Sequence, residues 1–183
     1  MPDDEELLLN IQAGETNELA LLVERHHSPL LGYLYRMTGG NRTLAEDMVQ
    51  EAFLRVLKSI HTYTYPRPFK PWLYTIATNL VRDTFRAADS RTVNLIGTET
   101  LFHRSGEHPE DALLASDEAR EVAAALMRLP DHQREAVVMR YYQDLSLNEI
   151  SEILDVPLGT VKSRLSLGIK RLREKFKVNE QSR

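Results

Sequence analysis

The sequence predicts an all-α protein of two small helical domains joined by a flexible linker, the C-terminal one containing a helix-turn-helix. Apolar residues recur with helical spacing along most of the 183 residues, and no sustained alternation of apolar and polar residues indicates a sheet. The helical spacing is interrupted by a segment that carries Gly97, Gly106 and Pro109 and has no clear periodicity. We predict a first domain at residues 1–90, a linker at 91–110 and a second domain at 111–183.

Composition narrows the class of protein. Apolar residues make up 42% and charged residues 27% of the chain, which is typical of a globular protein. The first six residues are acidic where a signal peptide is basic, and no apolar run approaches the roughly 18 residues of a membrane span. We therefore expect a cytoplasmic protein without membrane insertion. The chain has no Cys, which excludes disulfides, thiolate zinc sites and Cys nucleophiles.

Charge is segregated along the chain, although the formal net charge is only -4. Residues 1–24 contain seven acids and no Lys or Arg, whereas residues 155–183 contain eight bases against three acids. Because phosphates attract only the basic segment, we predict that the C-terminal end meets DNA, although a solvated surface helix would have a similar composition.

Four helical patterns account for the first domain. They run from Glu5 to Gln12, Thr16 to Thr38, Thr43 to Ile60 and Pro71 to Ala87. In the third, an apolar stripe faces inward and the other face presents Asp47, Gln50, Glu51 and Leu54. An exposed Leu beside acids and an amide suits a protein partner, whereas a merely solvated face is the alternative. No His stands at ligand spacing from Asp47 and Glu51, and no phosphate-binding loop occurs, so we predict no metal, cofactor or catalytic residue.

Aromatic and basic residues alternate before and within the fourth helix. Two bases, Arg67 and Lys70, are interleaved with aromatic residues, an arrangement that can stack unpaired bases and hold a nucleic-acid backbone. The aromatic residues are Tyr63, Tyr65, Phe69, Trp72 and Tyr74. The alternative is that Phe69 and Trp72 close the core, which we expect for Trp72. The polar side of the following helix is predicted to carry Thr75, Thr78, Asn79, Arg82 and Arg86, and Asn79 can read a base edge.

The C-terminal part, with helical spacing from about Asp111 to Lys177, contains two helices that meet at a tight turn. Ser146 and Glu149 form a capping box, which begins a short helix. Asp155 and Val156 make the turn, and Pro157 suits the first position of the second helix because it has no amide to lose. This arrangement predicts a helix-turn-helix rather than an ordinary amphipathic hairpin.

The second of these helices has two distinct faces. Its inward arc is predicted to carry Val161, Leu165, Ile169, Leu172 and Phe176. The opposite arc carries Lys162, Ser163, Ser166, Lys170 and Arg173. Cations and small hydroxyl donors on an outer face are what a recognition helix offers to the major groove.

Three segments together resemble the extracytoplasmic-function (ECF) sigma factors of bacteria over nearly the whole chain. The segment from Leu44 to Phe53 is similar to the polymerase-binding helix of that family. The run from Trp72 to Asp83 is similar to its promoter-melting segment, and Pro157 to Arg164 is similar to its recognition helix. The resemblance implies a non-enzymatic subunit that binds core RNA polymerase and promoter DNA, both duplex and melted. It also allows an anti-sigma factor as a further partner.

The residue patterns and the resemblance together imply a role for individual residues. Those implied to bind polymerase are Asp47, Gln50, Glu51 and Leu54. Those implied to bind the -10 region are Arg67, Lys70, Tyr74, Asn79, Arg82 and Arg86. Those implied to bind the -35 region are Thr160, Lys162, Ser163, Arg164, Ser166, Lys170 and Arg171.

Two features depart from the family pattern. Leu167 stands where the family often has Arg, and the run from Arg86 to Asp89 is less basic than usual. We therefore expect fewer phosphate contacts and an altered -35 preference. A stand-alone regulator that binds duplex DNA through the same helix-turn-helix is the alternative function.

Overall fold

The helices of this protein occur in the order in which the sequence predicts them. The computed structural model describes residues 2–92, 114 and 116–180, and for residues 90–92 and 175–180 it describes the backbone alone. The helices are α1 (Asp4–Gln12), α2 (Leu19–Met37), α3 (Arg42–Ser59), α4 (Phe69–Thr92), α5 (Asp117–Met127), α6 (Asp131–Tyr142), α7 (Leu147–Leu154) and α8 (Leu158–Glu180). Leu114 is helical as well, and no strand occurs in the described ranges. The all-α prediction is confirmed.

The first domain consists of α1 to α4. Helices α1 and α3 begin where a side chain satisfies a free amide: Asp3 and Glu6 form a capping box on α1, and Asn41 accepts the amide of Leu44 on α3. Helix α4 begins two residues before Pro71 and continues to Thr92, so that it crosses the predicted domain boundary at residue 90. Residues 93–110 of the predicted linker lie outside the described residues.

Helix α2 has no side-chain cap and follows directly on a short 3-10 turn. That turn spans Thr16–Glu18, and no side chain of Glu18 caps α2. Its apolar side is buried at residues such as Leu22, Leu30 and Leu34. Burial of this face, rather than a cap, is therefore what stabilises α2.

The first turn of α4 receives its cap from α1. A carboxylate oxygen of Glu5 accepts the backbone amide of Phe69 at 2.8 Å, and first-turn amides have no acceptor within their own helix. At the other end of α1, the side-chain amide of Gln12 donates to the carbonyls of Ile60 and Tyr63 at 2.8 and 2.9 Å. Helix α1 therefore holds residues 60–69, the segment that leads into α4, by hydrogen bonds from both of its ends.

A buried tyrosine joins α2 to α4. The ring of Tyr33 packs edge-to-face on Tyr74 with centroids 5.1 Å apart, and its hydroxyl lies 2.8 Å from the hydroxyl of Thr78. Burial raises the pKa of the Tyr33 phenol above its ordinary value. The hydroxyl group is thus neutral and satisfied within the core of the first domain.

The second domain depends on a close approach between α6 and α8. A Cβ placed on Gly168 of α8 would lie 2.8 Å from a methyl group of Val137 and 3.5 Å from Cβ of Gln133, both on α6. Glycine allows these two helices to pack at a distance that a side chain would prevent. Helix α7 packs against both of them and buries Ile150, Ile153 and Leu154.

The two domains pack against each other in this structure. Helix α2 contacts α5 and α6, and α4 contacts α7. One close approach is at Gly39, where a Cβ would lie 2.8 Å from Cγ of Met127 on α5. Gly39 also has a φ of 70°, in the left-handed region that favours glycine. The turn between α2 and α3 is therefore shaped both by its own backbone and by the second domain.

Candidate functional site

The predicted polymerase-binding face lies on the outer side of α3. Asp47 and Gln50 are exposed, and Leu54 is 49% exposed although it is a large apolar residue. Glu51 is half-buried and accepts a 3.0 Å hydrogen bond from Nε of Arg55. That bond raises the pKa of Arg55 and orients the Glu51 carboxylate. The helix therefore presents one apolar side chain among polar and acidic ones.

The predicted aromatic stack is largely wrong. Tyr63, Phe69, Trp72 and Tyr74 are all buried, and Tyr65, at 55% exposure, is the exposed member. Tyr63 packs on Trp72 with centroids 5.3 Å apart, and Trp72 in turn packs on Phe69. The expectation that Trp72 closes the core is confirmed. The other three rings join it because their apolar area is better buried than left in water.

Tyr74 illustrates the correction for a residue predicted to touch DNA. It is 1% exposed, and its hydroxyl donates to the side-chain oxygen of Gln143 in the second domain. Burial raises the pKa of this phenol above its ordinary value. In this arrangement Tyr74 cannot stack on a base, because its ring faces Tyr33 and its hydroxyl is already bonded.

The polar side of α4 is narrower than predicted. Thr78 was expected there but is buried, and its hydroxyl donates to the carbonyl of Tyr74. Asn79 and Arg86 are exposed, whereas Arg82 is half-buried and paired with Glu135 of α6 at 2.7 Å. Asn79 is thus the amide on α4 that is open to solvent at the predicted melting segment.

Arg67, Lys70 and Arg82, three of the cations predicted for the -10 region, contact the second domain. Nζ of Lys70 donates to the backbone carbonyl of Gln143 at 2.6 Å. Nη2 of Arg67 lies 3.3 Å from Oε1 of Glu152. Sequence reasoning missed Glu135, Gln143 and Glu152, and no periodicity signals them, since contacts between the domains leave no regular pattern.

The helix-turn-helix has the local structure that the sequence predicts. Ser146 and Glu149 form the capping box, with hydrogen bonds of 2.7 and 3.2 Å, so this prediction is confirmed. Asp155 adopts a left-handed conformation (φ 51°, ψ 52°), which ends α7 and makes the turn. Helix α8 begins at Leu158, one residue after the predicted Pro157, whose carbonyl accepts the first amide hydrogen bonds of α8.

Helix α8 separates its inward and outward faces largely as predicted. Val161 and Leu165 are buried and Ile169 and Leu172 are partly buried, while the side chain of Phe176 lies outside the described residues. The exposed outer residues are Lys162, Ser163, Ser166, Lys170 and Arg173. Thr160 and Arg164 are half-buried, and Leu167 is 50% exposed on the same outward side.

Arg171 differs from the other basic residues of α8. One of its guanidinium nitrogens donates to the side-chain oxygen of Gln133 on α6 at 3.1 Å. It therefore lies at the flank of the outer face, where it also links α8 to α6.

Residues 2–92, 114 and 116–180 contain no cluster of three or more His, Cys, Asp or Glu side chains that could hold a metal ion. Over the same residues, none of the helices has the length and apolar character required to cross a membrane.

Family models match both halves of the chain. The model described as Sigma-70 region 2 matches residues 22–91, and the model described as Sigma-70, region 4 matches residues 119–172. The ECF RNA polymerase sigma factor SigW of Bacillus subtilis (strain 168) is 35% identical over 175 residues, which cover 91% of this chain and 93% of that protein. The chain belongs to the ECF RNA polymerase sigma factors.

Other relatives of this ECF sigma factor are consistent with the assignment. The ECF RNA polymerase sigma-E factor of Haemophilus influenzae (strain ATCC 51907 / DSM 11121 / KW20 / Rd) is 31% identical over 170 residues, 88% of this chain and 89% of that protein. The structure of CnrH in complex with the cytosolic domain of CnrY shares the fold, with a TM-score of 0.73 at 24% identity over 96% of this chain and 97% of that one. Sigma factors direct core RNA polymerase to promoters and are not themselves catalytic enzymes.

Proposed function

We propose that this sigma factor uses three separate surfaces in transcription initiation: the outer face of α3 for polymerase, α4 for the -10 region and α8 for the -35 region. The observation that carries this proposal is the outer face of α8, where Lys162, Ser163 and Ser166 are exposed on a helix-turn-helix inside the region 4 match. Base edges in the major groove accept hydrogen bonds from such side chains.

On the first domain, the proposed polymerase contacts are Asp47, Gln50, Glu51 and Leu54. The exposed Leu54 supports this assignment, because it offers an apolar anchor within a polar rim. For the -10 region we propose Asn79 and Arg86, whose side chains are exposed, and Arg67, Lys70 and Arg82, which must first exchange their partners in the second domain. Tyr74 is not proposed as a base-stacking residue, since it belongs to the core.

We further propose that the protein acts without a catalytic residue or metal of its own and works in the cytoplasm, where core polymerase and promoters are found.

A stand-alone regulator of duplex DNA is a second candidate, favoured by the exposure of the α8 outer face in the free chain. A gel-shift assay with and without core polymerase separates the two. A sigma factor should shift complete promoter DNA strongly only with core polymerase, whereas equally tight binding without it supports the regulator.

We expect Lys162→Ala and Lys170→Ala to have different effects on -35 DNA. Lys162 lies in the first turns of α8, the part of a recognition helix that reads bases, and Lys170 lies about 12 Å further along the axis. Lys162→Ala should therefore weaken cognate DNA more than scrambled DNA, by about 1 to 3 kcal/mol. Lys170→Ala should weaken both alike and reduce the salt dependence by about one ion.

The two substitutions are matched, since each removes one exposed lysine from the same helix. Titrations of cognate and scrambled duplexes with the holoenzyme at several salt concentrations provide the measurement. If both variants lose cognate and scrambled binding equally, the outer face of α8 is only a basic surface.

We expect Asn79→Ala to reduce promoter opening. Asn79 is exposed on α4, so the substitution removes a base contact worth about 1 to 3 kcal/mol without disturbing the core. Permanganate reactivity of the -10 region should fall, and preference for one -10 base should relax, while a pre-melted template is affected less. Unchanged reactivity together with unchanged base preference would exclude the assignment.

A further inference from the structure

Leu167 is a large apolar residue on the outward face of α8, and it is 50% exposed. It follows Ser163 by four residues and precedes Lys170 by three, so these three side chains are neighbours on the helix surface. At about 100° per residue they lie within about 60° of one another, on the side opposite the buried Val161 and Leu165. An apolar side chain thus stands within the polar and basic face that is proposed to meet the -35 element.

The packing of α8 on α6 keeps Leu167 directed outward. The next residue, Gly168, approaches α6 so closely that a Cβ on it would lie 2.8 Å from a methyl group of Val137. One turn after Leu167, the guanidinium of Arg171 donates to the side-chain oxygen of Gln133 on α6 at 3.1 Å. The rotation of α8 is therefore fixed by contacts on either side of Leu167, and the leucine cannot turn into the core.

The position of Leu167 along α8 lies between two proposed DNA contacts. It is about 7.5 Å beyond Lys162, which is proposed to read bases, and about 4.5 Å before Lys170, which is proposed to contact a phosphate. Attraction of these cations to phosphates brings the outward face into the major groove. Water must then leave the leucine side chain, whatever group of the DNA replaces it.

The chemistry of the major groove limits which group can replace that water. A leucine side chain neither donates nor accepts a hydrogen bond, so it cannot pair with the polar edge of a base. Guanine presents two acceptors, which suit Arg or Lys, whereas thymine presents an apolar C5 methyl group beside one acceptor. Leu167 therefore complements a thymine methyl and would leave the acceptors of guanine without a donor.

We propose that Leu167 is a specificity-determining residue, which contacts the C5 methyl group of a thymine in the -35 element. This role rests on the proposed function of α8. Binding favours an A·T pair at the position that Leu167 meets, because the methyl group and the leucine side chain are both removed from water. Specificity at this position comes from apolar contact, whereas Lys162 contributes a hydrogen bond at another.

The test removes the methyl group from the DNA and the leucine from the protein, separately and together. Each thymine of the -35 element, in either strand, is replaced in turn by deoxyuridine, which lacks only the methyl group. The DNA is a complete promoter duplex that the holoenzyme transcribes. Holoenzymes that contain the parent, Leu167→Ala or Leu167→Met are titrated with each fluorescent duplex, and anisotropy measures the affinity.

We expect one deoxyuridine replacement to weaken binding of the parent about three- to fivefold. The same replacement should change binding of Leu167→Ala by less than about 1.5-fold, because the partner of the methyl group is then missing. Leu167→Met keeps an apolar side chain of similar size and should retain an effect of at least about twofold.

Two control variants separate this contact from other losses. Lys170→Ala removes the neighbouring cation and should weaken thymine and deoxyuridine duplexes alike, so that the methyl effect keeps its full size. Leu9→Ala removes another exposed leucine, at 38% exposure on α1, and should behave as the parent does.

Three results overturn the role of Leu167. The first is that no replacement weakens the parent, or that the -35 element contains no thymine in either strand. The second is a methyl effect of the same size in the parent and in Leu167→Ala. The third is a loss in Leu167→Ala that is equal on the thymine and deoxyuridine duplexes, which indicates that the leucine contacts polymerase or another part of the DNA.

A promoter duplex with a scrambled -35 element separates these results from a failure of the proposed function. If the parent holoenzyme binds cognate and scrambled duplexes equally, the -35 role of α8 is wrong. If it prefers the cognate duplex while no methyl effect depends on Leu167, the -35 role of α8 stands and the role of Leu167 is wrong.

Discussion

A Leu54→Asp variant is expected to lose at least about a hundredfold in affinity for core RNA polymerase. The substitution removes apolar burial worth about 1.5 to 3 kcal/mol and leaves a carboxylate to be desolvated in the interface. Leu54 is 49% exposed in the free protein, so the fold should tolerate the change. Binding of labelled sigma factor to core polymerase by fluorescence titration measures the loss.

Leu9→Asp is the matched control for this prediction. Leu9 is also an exposed leucine on a helix, at 38% exposure, but it lies on α1 and outside the proposed polymerase face. Circular dichroism should show both variants folded. If Leu54→Asp binds core polymerase as tightly as Leu9→Asp does, the outer face of α3 is not the polymerase-binding surface.

A Gly168→Leu variant is expected to destabilise the second domain by about 3 kcal/mol or more. Even the first added carbon would lie 2.8 Å from a methyl of Val137, a β-branched residue whose side chain has little freedom to turn away. The two helices α6 and α8 must then separate, and α8 carries the proposed -35 contacts. Thermal unfolding followed by circular dichroism should show a midpoint lower by about 10 °C.

Gly159→Ala, on the same helix, should have the opposite effect. No atom lies within 4 Å of a Cβ at Gly159, so alanine should stabilise α8 by about 0.4 to 1 kcal/mol. Equal midpoints for the two variants would show that the close approach at Gly168 does not limit the packing of α6 on α8.

The helices could be predicted because their signals are local. The capping box at Ser146, the turn at Asp155 and the apolar arc of α8 each depend on residues less than a few turns apart. The exposure of Leu54 followed from the same periodicity, because it stands opposite the apolar stripe of α3.

The misjudged residues are those whose environment is set by distant parts of the chain. The sequence predicts that Tyr74 contacts DNA and that Thr78 lies on the polar side of α4, but Tyr33 of α2 provides a buried ring and hydroxyl that pair with them. Arg82 could be recognised as a basic residue, but not as a residue paired with Glu135, which is 53 positions away. Pairing at such separation leaves no periodicity in the sequence.

The hydrogen bond from Phe69 to Glu5 affects how this domain can be cut out and studied alone. The region 2 match begins at residue 22, whereas the acceptor for the first turn of α4 lies at residue 5. A fragment trimmed to the family boundary would expose the start of its longest helix and the apolar residues that α1 covers. Excised versions of the domain should therefore retain the N-terminal helix, and fusion partners are better attached at a distance from it.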